Sequence, residues 1–162
     1  MQLTSAQLTT LAAAINADAA LATMRSNHDA TLICNYYNVA SAPAFVIWKT
    51  DVNPDNIMRN GMDWTRVDNL SIGKARIWDW MTKLGSFNAA KPNVRAGIDA
   101  CWVGTAADLA VRDQVYTHCK RTALKGEALF TTGTGSTASP ATMADSCEGF
   151  LTDVNVQQAM GW

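Results

Sequence analysis

Apolar residues recur at helical spacing along most of this chain, and Gly, Pro, Asn and Asp divide them into short segments. Thr4 and Gln7 form a capping-box pattern ahead of Leu8, Leu11, Ala12 and Ile15, which predicts a first helix over 5–16. Residues 18–24 have room for one or two further turns. Asp29 can cap a third helix whose apolar side carries Leu32, Ile33, Tyr36 and Tyr37. Residues 41–49 are ambiguous, because Pro43 interrupts them and Phe45-Val46-Ile47-Trp48 suits a short strand or a buried turn. Asn53 and Pro54 have the N-cap and first-turn chemistry of a helix that runs to about residue 60 and stops at Gly61.

The best-patterned helix starts at Ser71 and ends at Gly85, with Ile77, Trp80, Met81 and Leu84 as its expected buried stripe. Trp78 falls off that stripe and either packs on another element or faces a partner. Val94, Ile98, Cys101 and Trp102 form the next stripe, closed by Gly104. Thr105 and Asp108 resemble a capping box and open the longest predicted helix, about 106–130. Its stripe reads Leu109, Tyr116, Cys119, Ala123 and Phe130, widened by Val111 and Val115. Gly126 inside it costs about 1 kcal/mol against Ala and marks a kink or a close crossing. Thr131 to Ala141 is small, uncharged and rich in Gly, Ser and Thr, so it reads as a flexible loop; deleting Thr134 to Ser139 is expected to leave the helical core folded and to impair assembly. Residues 141–150 are too short and polar to assign, and Thr152 or Asp153 caps a last helix carrying Val156, Ala159 and Met160. The expected fold is a mainly α single domain with a flexible Gly/Ser/Thr loop and room for one small β-hairpin. Residues 1–130 are its helical core; residues 131–162 form a loop or arm and a C-terminal helix packed on the core or on a neighbour.

Composition narrows the chemistry. The chain has 162 residues and a net charge of −1, which provides no basic footprint for specific nucleic-acid binding. No stretch approaches the roughly 20 apolar residues of a membrane span, and no basic-then-apolar leader opens the chain. Six Trp are many for this length and suggest buried anchors or contact surfaces. Cys34, Cys101, Cys119 and Cys147 are widely spaced without a CxxC pair, as expected for free, buried thiols.

Candidate active groups are sparse. Gly133-Thr134-Gly135-Ser136-Thr137 lacks the Lys and the preceding strand of a phosphate-binding loop. His28 sits in a polar connection, and His118 points about 100° from its neighbour Cys119 on a helix. His118, Cys119 and Cys101 match no zinc spacing. Glu127 and Glu148 are the two Glu residues, and a helical glycoside hydrolase acting on cell wall would look to them first; a solvated or ion-paired Glu127 is the default. No catalytic residues, cofactor or metal are expected, and a monomeric regulatory or chaperone-like module is a further alternative.

Arg121 to Phe130, followed by Gly133 to Ser136 and Ser139-Pro140-Ala141, resembles small structural-module proteins of tailed bacteriophages. Phe45 to Thr50 and Leu70 to Leu84 extend the resemblance over most of the chain beyond about residue 40. It implies a virion protein, made in the bacterial cytoplasm, that works by assembly rather than catalysis. The head-to-tail connector, or adaptor, is the first such role and a tail component the second. Partners would be further copies in a ring and the portal or tail proteins, without specific nucleic acid or membrane. Trp64, Trp78 and Trp162 would anchor such contacts, with Gly133, Gly135, Ser139 and Pro140 in a loop that orders on a neighbour.

Overall fold

Local capping chemistry sets most helix starts. The computed structural model describes residues 1–144 and 146–162 and is mainly α, with short strands in two small sheets. The chain folds into two units, one formed by residues 1–47 and 122–162 and the other by residues 48–121. The sequence suggests a division at 130/131; the units divide at 47/48 and 121/122 instead, and residues 131–162 belong wholly to the first.

In the first unit, Thr4 caps α1 (Ser5–Ala17) through the expected box: the Thr4 N–H donates to Gln7 Oε1 at 2.8 Å and the Gln7 N–H donates to Thr4 Oγ1 at 3.4 Å. Leu11 and Ile15, one turn apart, are fully buried. Asp18 ends α1 and caps a 3-10 turn, Ala19–Leu21, before α2 (Ala22–Ser26). Asp29 then accepts the Leu32 N–H at 2.9 Å at the start of α3 (Ala30–Tyr37). That helix buries Ala30, Ile33, Cys34 and Tyr37, so its inner face is turned from the predicted one and Leu32 is exposed.

The ambiguous stretch after α3 contains a strand, β1 (Val46–Trp48), preceded by a cis Ala42–Pro43 bond. β1 pairs with β2 (Lys120–Thr122), and the chain passes between units inside these strands. The predicted helix over 106–130 is therefore corrected: it stops at His118. Residues beyond it find backbone partners outside any helix. The Ala123 N–H donates to Phe45 O at 2.8 Å, the Ser41 N–H to Ala123 O at 2.9 Å, and the Lys125 N–H to Val39 O at 2.9 Å. A single turn, α9 (Lys125–Ala128), follows. A Cβ on Gly126 would come within 2.9 Å of Leu151 Cδ1, so this glycine marks a close approach rather than a kink.

β3 (Thr131–Thr132) and β4 (Thr142–Met143) form an antiparallel pair in the register Thr131↔Met143 and Thr132↔Thr142. The chain ends in α10 (Asp153–Met160), boxed by Thr152 and Asn155 and stopped by Gly161 in the left-handed region. α10 packs against α1 and α3, and their shared core includes Leu11, Ile15, Leu21, Ile33 and Val156.

The second unit is built from α4 (Pro54–Arg59), α5 (Trp64–Asp68), α6 (Ile72–Lys83), α7 (Pro92–Cys101) and α8 (Ala106–His118). Asn53 and Pro54 open α4 as the sequence predicts, and Thr105 with Asp108 boxes α8. Val52 and Phe87 exchange both backbone hydrogen bonds, at 2.8 and 3.1 Å. The core gathers Ile57, Trp78, Ile98, Trp102, Val111, Val115 and Cys119.

Candidate functional site

Helix α6 carries more exposed apolar surface than its sequence pattern suggests. Two stripes on it satisfy the spacing i, i+3, i+4, i+7. The predicted one, Ile77, Trp80, Met81 and Leu84, is not the inner one: Trp80 is 69% and Leu84 74% exposed. The inner face is Lys74, Ile77, Trp78 and Met81. Trp78 is only 2% exposed and meets Trp102 edge to face. Ile77 and Met81 pack over Gly97 of α7 at 3.5 and 3.6 Å from its Cβ position. Choosing the face nearer Trp78 costs Trp80 its cover and sets Ile72, 77% exposed, on the same outward ridge. Arg76 lies between them and is exposed.

The expected contact residues separate into inward and outward groups. Trp78 is corrected from an outward anchor to a core residue, because the Trp102 ring claims its edge. Trp64, at the start of α5 behind its Asp63 cap, is 56% exposed. Trp162 is half-buried and stacks on His28 with ring centroids 4.8 Å apart. Pro140 is buried, whereas Ser139 is exposed and its N–H donates to Ser136 Oγ at 2.9 Å. Gly133 and Gly135 both have positive φ. A Cβ at Gly133 would stand 3.1 Å from Ala141 Cα, and one at Gly135 would collide with the Phe45 ring. Gly135 O accepts the Val46 N–H at 2.7 Å, and the Ala141 N–H donates to Val46 O at 2.9 Å. The stretch read as flexible is thus hydrogen-bonded and packed into its own unit.

Sequence reasoning missed Ile72, Trp80 and Leu84 as outward residues. Their i+4 steps were available as a signal, but Trp80 and Leu84 also completed a plausible buried stripe.

Several charged and titratable groups serve the fold itself. Glu127, expected to be solvated or ion-paired, is not solvated: it is 1% exposed, its Oε2 accepts the Leu124 N–H at 2.9 Å and its Oε1 the Gly149 N–H at 2.8 Å. The carboxylate therefore fastens two backbone segments. All four cysteines are free and buried. Burial pushes the Cys34 and Cys119 thiols up to about 12 and the Cys101 thiol up to about 11, and it also raises Cys147. Such thiols are poor nucleophiles near neutrality.

In the second unit, Trp48 lies under two cations, Arg95 Cζ at 4.9 Å and Lys120 Nζ at 5.3 Å from its ring centroid. The Tyr116 hydroxyl donates to Asp99 at 2.9 Å; burial first, and then this bond, raises its pKa. A cavity of about 270 Å³ is lined by Arg66, Ser71, Lys74, Cys101 and Asp108, with Arg66 3.8 Å from Asp108. The Thr105 hydroxyl, its backbone N–H and then the two cations hold the Asp108 carboxyl below its ordinary value. Among the described residues no group of three His, Cys, Asp or Glu side chains is arranged to hold a metal ion, and no helix is long and apolar enough to cross a membrane.

No protein-family model, no curated protein and no solved structure matches this chain.

Proposed function

We propose that this protein is a structural component of a tailed-bacteriophage virion that works by assembly, as a head-to-tail connector first and a tail component second. The observation that carries the assembly half of this reading is the outward ridge of α6. Ile72, Trp80 and Leu84 stand 77%, 69% and 74% exposed along this helix and its C-terminal end, and Trp64 is more than half exposed on the helix before it. Clustered apolar exposure of this kind is characteristic of contact surfaces, and Trp is the residue type that most often dominates their energy. The phage half rests on the resemblance of residues 45–50, 70–84 and 121–141.

The test is mass spectrometry and antibody labelling of purified particles from a phage that encodes the chain. The protein should appear in fixed stoichiometry at the neck or tail. Its absence from intact particles would remove the virion reading. Peptidoglycan release by the purified protein, abolished in a Glu127→Gln or Glu148→Gln variant whose circular dichroism remains that of the parent, would replace it with the hydrolase reading.

A further inference from the structure

We infer that two copies of this chain bind each other through α6 about a two-fold axis, pairing Arg76 of each copy with Trp80 of the other and Ile72 with Leu84. The inference takes α6 as the contact face, as the assembly reading does, but it stands apart from where in a virion the protein resides. It comes from a symmetry in the exposed ridge. Ile72, Arg76, Trp80 and Leu84 follow one another at steps of four, with an aliphatic residue at each end and a cation and an indole at equal distances from the level of residue 78. At 100° per residue, Arg76 and Trp80 lie about 20° to either side of the ridge centre, and Ile72 and Leu84 about 60° to either side. A two-fold axis that passes through that centre at right angles to the ridge, with the two helices crossing so that their ridges run antiparallel, brings Ile72 of each copy level with Leu84 of the other and each guanidinium over an indole.

Charge complementarity selects a second copy as the occupant. The ridge presents one cation and one large π-face at equal distances from its centre, so each copy supplies what the other lacks. Arg76 has no ion-pair partner among the described residues, whereas the neighbouring charges Asp79 and Lys83 already pair with each other at 3.1 Å. Gly73 borders the ridge, with open space where a side chain would stand, so nothing on that flank blocks the approach of a second helix. An isologous contact of this kind closes at two copies. A ring would then be built from such pairs through another face.

Equilibrium sedimentation over a concentration series should show a monomer–dimer equilibrium. Trp80→Asp should weaken it about tenfold or more, and Arg76→Glu likewise, while circular dichroism remains that of the parent because both side chains are exposed. Geometry is tested by oxidation of Ile72→Cys and Leu84→Cys variants. These positions meet across the axis, whereas the two copies of either one lie about 18 Å apart along the helices. A mixture of the two variants should form a disulfide-linked dimer, and neither should do so alone. A chain that remains monomeric at every concentration overturns the inference. So does a dimer unaffected by Trp80→Asp, or cross-linking that is equal in the single variants. Presence in particles as a monomer would overturn this pairing but leave the virion reading intact; an intact pair absent from particles would do the reverse.

Discussion

The Trp78 and Trp102 rings meet at 80° with centroids 5.3 Å apart, in the edge-to-face geometry that aromatic pairs favour. This pair joins α6 to the end of α7, and neither indole Nε1 has a hydrogen-bond acceptor among the described residues. Its contribution lies in apolar burial and in the edge-to-face contact of the two rings. Trp102→Ala should destabilise the second unit by about 3–5 kcal/mol in urea unfolding, whereas Trp80→Ala on the outer face of α6 should stay within about 0.5 kcal/mol. Equal losses for the two would show that the inner and outer faces are misassigned.

Glu127→Gln preserves shape but replaces one acceptor oxygen with a donor. Either the Leu124 or the Gly149 N–H then loses its partner. The expected loss is about 1–3 kcal/mol, with amide exchange accelerating first at residues 147–151. Unchanged stability and exchange would mean that the carboxylate fastens nothing.

Gly135 combines a φ of +66° with contact against the Phe45 ring. Gly135→Ala should cost more than the roughly 1–3 kcal/mol of a strained backbone, and Phe45→Ala in the same chain should relieve the steric part. Deleting residues 134–139 removes the acceptor of the Val46 N–H and should destabilise the first unit rather than leave it intact. Thermal unfolding of the deletion at parental temperature would restore the picture of a free arm.

The raised thiol pKa values make stability fall in alkali. An unfolded thiol ionises near about 8.5, while Cys34, Cys101 and Cys119 stay protonated in the fold until about 11–12. Between those values the unfolded chain binds fewer protons than the folded one, so each thiol removes about 1.4 kcal/mol per pH unit as the pH rises. Below about pH 8 the same groups contribute no slope. Urea unfolding at pH 7 and pH 10 measures the difference, and a Cys119→Ser variant should have a shallower decline. Thiol reagents at neutral pH should modify the cysteines only after denaturant is added.

Helix starts were legible because caps act within four residues: Thr4, Asn53 with Pro54, Thr105 and Thr152 all do what their side chains suggest. The end of α8 was not. Nothing local stops a helix at His118; Phe45, from far earlier in the chain, supplies the backbone acceptor for Ala123. The outer ridge of α6 was hidden for a different reason. Two faces fitted one spacing rule, and the positions of Trp102 and of Gly97 on α7 decide between them. Glu127 shows the same dependence, since one of its two backbone partners is Gly149, more than twenty residues away.

The first unit is assembled from two stretches of chain that flank the whole of the second. During synthesis the ribosome therefore delivers every residue of the second unit by Arg121, while α1 and α3 still lack α10. Leu11, Ile15 and Ile33 therefore wait for the cover of α10 until the whole second unit has been made, so exposure to chaperones and proteases falls on residues made before that unit rather than after it.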